Sequence, residues 1–237
     1  MTERSTLVAG ETLIDFIPDS QGSLTDIERF ERRAGGAPAN VAVALARLAE
    51  TPWFCTTLST DPFGRFLERT LAEAGLPDRF YRRVDAPTAL AFVSHDNAGD
   101  REFTFYHDGM ADVQFDTAMV DDGTLNAVDY LVVGGVTLAA APSRRATFDL
   151  VDRARKADCR VVFDTNTRPE LWSDTATMSD TLDRMIARTD LLKTTREDLQ
   201  PTDIGGDAFA EDLLERGTEA VLLTAGEAGA RLVAGAA

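Results

Sequence analysis

From Tyr130 onward, short apolar runs alternate with longer amphipathic ones, and this alternation constrains the fold more than any other feature of the chain. Tyr130–Val133, Arg160–Asp164, Leu191–Lys193 and Ala220–Thr224 read as strands, while Ser143–Lys156, Thr175–Arg188 and Asp207–Arg216 carry apolar residues at helical spacing. Strands joined through helices run parallel and are covered on both faces, so an α/β domain is predicted. The first half keeps the same rhythm. Leu7–Ala9 is closed by Gly10, Pro38–Leu48 is helical, Trp53–Leu58 is a buried strand, and Phe63–Ala74 is a helix ended by Gly75-Leu76-Pro77. Two clusters of short β segments interrupt it, at about 11–33 and 80–110. They include Thr12–Ile17, Phe80–Val84, Ala89–Ser94 and Glu102–Tyr106, with turns at Asp85-Ala86-Pro87 and Asn97-Ala98-Gly99-Asp100. These insertions are expected to pair into a small sheet projecting from a single domain spanning 1–237. A last strand at Ala230–Val233 has no helix after it, whereas doubly wound sheets usually close with one. The expectation is a C-terminally truncated chain with that strand bare.

Composition narrows the function. The 237 residues are 44% hydrophobic and 27% charged, as in globular rather than disordered chains. No apolar run approaches a membrane span, and no basic stretch precedes an apolar core at the N-terminus, so neither membrane nor signal peptide is expected. Cys55 and Cys159 form no CxxC pair, which excludes a disulfide scaffold and a thiolate zinc site and fits a reducing cytoplasm. Acidic residues outnumber basic ones 40 to 24, a net charge of −16, which argues against nucleic-acid binding. Only Lys156 and Lys193 are lysines among the basic residues. An acidic bacterial protein is one reading; a halophilic archaeal one, with a carboxylate-rich surface hydrated in high salt, is the expectation.

Four segments are candidates for chemistry. In Ala34-Gly35-Gly36-Ala37-Pro38-Ala39-Asn40, two glycines permit close backbone approach, and a proline starts a helix whose free N–H groups can meet a ligand. A plain loop-to-helix turn is the alternative. Glu11-Thr12-Leu13-Ile14-Asp15 follows the first strand, where open α/β sheets bind ligands, and a carboxylate there can accept sugar hydroxyls; Asp15 as one more solvated acid is the alternative. Asp164-Thr165-Asn166-Thr167-Arg168 closes another strand, where Asp, Asn and Arg can orient hydroxyls, metal-bound water or phosphate, or merely cap a loop. Thr224-Ala225-Gly226-Glu227-Ala228-Gly229 is either an anion-binding turn or an ordinary tight turn. No P-loop, dinucleotide glycine motif or nucleophile elbow occurs. His95 and His107 lie in or beside the extra β segments, and no metal site is expected from them.

Gly10-Glu11 with Asp15, then Gly35-Gly36-Ala37-Pro38-Ala39-Asn40, Asp61-Pro62-Phe63-Gly64, Asp164-Thr165-Asn166-Thr167-Arg168 with Leu171-Trp172, and Thr224–Gly229, in this order, resemble the PfkB (ribokinase-like) carbohydrate kinases along the whole chain. Within that family the glycine motif and the Asn-x-Arg…Leu-Trp form are most like fructokinases, with 2-keto-3-deoxygluconate kinases close behind. The resemblance implies a three-layer α/β/α domain with a mainly parallel sheet and a β-sheet lid. It implies transfer of the γ-phosphoryl group of ATP, with Mg2+, to a sugar hydroxyl. Asp15, Gly35, Gly36 and Asn40 would hold the sugar, and Arg168 would face the substrate or the transferred phosphate as a candidate catalytic residue. Thr224 and Gly226 would face the nucleotide. The family's Asn-x-x-Glu is matched by Thr195-Arg196-Glu197-Asp198, which makes Thr195 a nucleotide-side residue and Asp198 a metal-side one. A homodimer through the lid is implied as well. The family's Gly-Ala-Gly-Asp, which supplies the catalytic base, is expected beyond Ala237; the Gly205-Gly206-Asp207 string falls too early to be that motif. A non-catalytic sugar- or nucleotide-binding relic is the competing reading.

Overall fold

Alternating burial along each strand builds the molecule. In β1 (Thr6–Ala9), Leu7 and Ala9 enter one hydrophobic cluster and Val8 another. The same alternation holds in β8 (Tyr130–Gly134) and β9 (Arg160–Asp164), so one sheet separates two cores. The computed structural model describes residues 5–95, 101–200 and 209–235. The turn expected at Asn97–Asp100 and the Gly205–Asp207 string lie outside them.

After β1 the chain forms β2 (Leu13–Pro18), β3 (Phe30–Gly35), α1 (Ala37–Arg47), β4 (Trp53–Ser59), α2 (Pro62–Glu73), β5 (Phe80–Val84), β6 (Leu90–His95) and β7 (Arg101–Tyr106). Then follow α3 (Asp122–Leu125), β8, α4 (Val136–Ala139), α5 (Ala141–Lys156), β9, α6 (Thr175–Ile186), β10 (Leu191–Thr194), α7 (Arg196–Leu199), α8 (Phe209–Glu215), β11 (Ala220–Thr224) and β12 (Ala230–Ala234). The main sheet runs β12-β11-β10-β9-β8-β1-β4-β5, parallel except for β12. Helices α1 and α2 pack one face through Ala39, Ala42, Leu67 and Leu71. On the other face α5, α6 and α8 supply Leu150, Val151, Met178, Leu182 and Leu213.

A second sheet, β3-β2-β6-β7, is built from the two insertions. Phe80–Val84, expected there, instead extends the main sheet beside β4. The reason is burial: Phe80 enters one core and Tyr81 the other, and a strand covered on both faces belongs in the three-layer body. The first glycine of the expected loop is the last residue of β3, paired with Leu13. At the far edge, β12 pairs antiparallel with β11 and places Leu232 opposite Leu222. Those leucines are 68% and 39% exposed, so this end of the sheet is bare on that face.

Candidate functional site

Strand β1 lies between β4 and β8, so the chain winds one way from β1 to β4 and β5 and the other way from β1 to β8. Ligands of open α/β sheets bind outside the strand ends where the order reverses. Here that crevice is bounded by Gly10 and Glu11 after β1, Gly134 and Gly135 at β8, and Asp164 at β9. Pro38 at the start of α1 wedges into it. A Cβ on Gly10 would lie 2.4 Å from the Pro38 ring and one on Gly134 3.2 Å from it.

The second sheet projects over this crevice and brings Asp15 to it. Asp15 on β2 is diagonal to Gly35 on β3, where a Cβ would come within 2.1 Å of Oδ2. Gly35 is therefore a seat for that carboxylate. Gly36 has φ +100°, and a Cβ there would sit 2.6 Å from the Glu11 carbonyl oxygen; only glycine suits both the backbone and the space. The Thr12 hydroxyl donates to the Gly35 carbonyl at 3.1 Å. Burial pushes the Asp15 carboxyl above the usual carboxylate range, and the Arg168 guanidinium works in the opposite direction. Arg168 stacks over the Phe103 ring at 4.8 Å. Its backbone is left-handed (φ 48°), as is that of Asn166 (φ 29°), so this turn holds strain of the kind that collects at functional sites. A cavity of about 410 Å3 opens between β7 and the turn after Arg168, lined by Phe103, Phe105, His107, Glu170 and Leu171 among others. On its wall the His107 Nδ1 meets Asp112 Oδ2 at 2.8 Å. Asn40 stands exposed in the first turn of α1, its N–H bonded to the Gly36 carbonyl.

The strained turn is held from below by Asp198. Its Oδ2 accepts from the Thr165 hydroxyl (3.0 Å) and the Thr195 N–H (3.2 Å), and Oδ1 accepts from the Thr167 N–H (3.0 Å). The Asp198 carbonyl takes the Thr167 hydroxyl, and Thr167 in turn accepts from the Trp172 indole. Thr195 and Asp198 cap α7 reciprocally. Asp198, expected on the metal side, thus spends its oxygens on this clamp. Among the described residues no three His, Cys, Asp or Glu side chains gather to hold a metal ion. Lys193 donates to Asp164 at 2.9 Å, yet burial still leaves Asp164 above the usual carboxylate range.

A separate groove of about 270 Å3 lies at the ends of β10 and β11, lined by Arg196, Glu197, Thr224 and the turn that follows. The Thr224 hydroxyl points toward the Thr194 carbonyl, 3.5 Å away. Thr195 is beside the groove at the start of α7, its hydroxyl taken by the Asp198 N–H. Gly226 (φ +53°) is exposed in the turn itself, outside the groove wall. Of the site residues anticipated from sequence, Asp15, Gly35, Gly36 and Arg168 come together under the second sheet, Asn40 is exposed at the start of α1, Thr195, Thr224 and Gly226 lie near the groove, and Asp198 holds the clamp. Sequence reasoning placed Glu11 in a candidate segment without giving it a role, and left out Lys193. The position of Glu11 at the order reversal is a property of strand order, which the motif alone does not show. Lys193 did leave a signal: it is one of two lysines in a chain that otherwise uses arginine.

Residues 3–237 match the description "pfkB family carbohydrate kinase". The fructokinase of Vibrio alginolyticus is 36% identical over 193 residues, 81% of this chain and 60% of that protein. The fructokinase of Klebsiella pneumoniae is 38% identical over 194 residues with the same coverage. The chain thus spans about 60% of the length of these curated relatives. A fructokinase from Xylella fastidiosa, solved with bound ATP, superposes with a TM-score of 0.85 at 31% identity, over 98% of this chain and 71% of that one. The Halothermothrix orenii fructokinase, at 24% identity over 97% of this chain and 84% of its own, shares the fold with a TM-score of 0.86. With the β1 crevice, the sheet above it and a match over nearly every residue in agreement, the chain belongs to the PfkB family of carbohydrate kinases.

Proposed function

We propose that the protein of which this chain forms at least a part is an ATP-dependent sugar kinase whose acceptor is fructose. The observation that carries the reading is the pairing under the second sheet: a carboxylate, Asp15, seated on Gly35 and within electrostatic reach of Arg168. A ketose presents vicinal hydroxyls that Asp15 can accept, while Arg168 can meet the anionic phosphoryl group. The names of the relatives and the ATP-bound neighbour support the acceptor and the donor.

In this reading the groove at β10 and β11 takes the nucleotide, with Arg196 toward phosphate and the Thr224 strand end against the base or ribose. Magnesium would arrive with the phosphates and keep most of its water, as small hard cations do. Glu197, exposed on the groove, and Asp198, whose oxygens also hold the clamp, are the carboxylates placed to meet it. When bound, MgATP supplies the phosphoryl group. The residues here bind and orient, and phosphoryl transfer depends chiefly on such positioning and on charge stabilisation. Among the described residues we assign none to take the proton of the sugar hydroxyl. The second sheet is the lid in this reading, and its outer surface the contact of a homodimer. A reducing cytoplasm suits Cys55 and Cys159, both buried and unpaired.

Thermal-shift titration of the chain with fructose, 2-keto-3-deoxygluconate and ribose, in molar salt, ranks the acceptors. Fructose is expected to raise the midpoint most. A larger shift with the keto acid moves the assignment to that acceptor, and no shift with any sugar overturns it.

A further inference from the structure

Glu11 is a buried side chain in the crevice that the proposed chemistry does not use. It follows β1 one residue on, after Gly10, is 2% exposed, and only backbone N–H groups around it favour a charge. Its Oε1 accepts the Ala37 N–H at the start of α1, at 3.3 Å. Its Oε2 is buried without a hydrogen-bond partner and faces Gly134, where a Cβ would lie 3.9 Å away. The titratable groups that face it are Asp112, from the segment after β7, and Asp164, from the end of β9, both of the same sign. Lys193 is paired with Asp164 and His107 with Asp112, and among the described residues no cation pairs with Glu11 itself, so an ionised carboxylate buried there with one free oxygen would be poorly compensated. A carboxylic acid in the same place needs no counter-ion, and still accepts the Ala37 N–H through its carbonyl oxygen.

We propose that Glu11 is a positioning residue that works as a neutral acid, fastening the end of β1 to the Gly36–Ala37 turn and so fixing the seat on which Asp15 meets the sugar. The connection is short. Gly36 packs on the Glu11 main chain, Thr12 bonds the Gly35 carbonyl, and Gly35 carries Asp15. Ionisation of Glu11 would strengthen its bond to the Ala37 N–H but leave a bare charge on Oε2, drawing water or a cation in beside Gly134 and shifting the turn on β1. Burial first, and then Asp112 and Asp164, push the Glu11 carboxyl up to about 8, against the lowering effect of its backbone hydrogen bonds. The fastening therefore holds for most molecules at neutral pH and is lost as pH rises through about 8. This role rests on the reading of the Asp15 side as the sugar site.

Calorimetry with fructose and with an ATP analogue, from pH 6.5 to 9.5, on the wild-type chain and on Glu11→Gln, tests it. Glutamine copies the neutral acid with a carbonyl acceptor and an N–H donor, and cannot ionise. Wild-type affinity for fructose is expected to fall by about tenfold per pH unit above pH 8, with Glu11→Gln flat and the nucleotide affinity alike in both. Parallel fructose profiles in the two proteins overturn the role of Glu11 and leave the sugar site standing. Urea unfolding of the same pair separates the other failure. If neither protein binds fructose, but wild type loses stability relative to Glu11→Gln as pH rises from 5 to 9, the sugar reading falls and the fastening by a neutral Glu11 stands. Equal pH dependence of unfolding in the two proteins overturns the neutral acid itself.

Discussion

At the scale of single residues, Asp15 carries the sharpest expectation. A hydrogen bond to an ionised group contributes about 1.5–3 kcal/mol. Asp15→Ala should therefore weaken fructose binding by roughly 10- to 100-fold while leaving an ATP analogue alone, because the groove is at other strand ends. Calorimetry reads both, and equal fructose affinity in mutant and wild type would remove Asp15 from the site. This residue was legible in the sequence because it belongs to a short motif after a strand. So were Gly35 and Gly36, although for different reasons than a shared loop. Gly35 is a strand residue kept small by a neighbouring carboxylate, and Gly36 is the residue with φ +100°. A string of letters cannot separate those causes, because one comes from a side chain on another strand and the other from the backbone itself.

At the scale of elements, α7 matters more than its length suggests. A four-residue helix is marginal alone, but Asp198 ties it to the strained turn between β9 and α6 through two donors, the Thr165 hydroxyl and the Thr167 N–H, while the Thr195 N–H closes its own cap. Asp198→Ala leaves the Thr167 and Thr195 N–H groups and one hydroxyl contact without their acceptor, which should cost about 2–4 kcal/mol. Asp198→Asn keeps one good acceptor and should cost about half of that. Urea unfolding distinguishes the clamp from a purely metal-side carboxylate, whose removal would leave stability within about 0.5 kcal/mol of wild type. The major helices and the parallel strands were readable from periodicity to within a residue or two. The pieces that were not are β3, whose polar residues show no apolar alternation, and α3, α4 and α7, which are too short to show a period and form where caps and tertiary contacts allow. Phe80–Val84 was misplaced for a related reason: its length and composition suit either sheet, and only its two-sided burial decides.

For the whole molecule the decisive quantity is the net charge of −16. Many of its ion pairs are exposed Arg–Asp contacts, such as Arg216 with Asp183 and Arg79 with Asp121, and such pairs are individually weak. They do not offset the excess of carboxylates. We propose a habitat of high salt, where a Debye length of about 3 Å in molar electrolyte silences the repulsion. Relief of a few kcal/mol would raise the melting midpoint by about 5–10 °C between millimolar and molar salt. Circular dichroism melts that coincide at both salt levels would remove that reading.

The order reversal at β1 also sets a timetable. Val8 pairs on one side with Phe54 and on the other with Val132, so the first strand made waits for a neighbour encoded far downstream. At 5–20 residues per second, the ribosome takes on the order of ten seconds to deliver it. Throughout that interval the nascent chain holds an apolar strand with one edge unpaired, the state in which a β segment is most open to a wrong partner. The wedge of Pro38 against Gly10 and Gly134 can close only when all three pieces have emerged. The crevice that orients the ligand is thus among the last parts of this half to be assembled, and a chaperone that shields β1 during synthesis would protect it and the future site together.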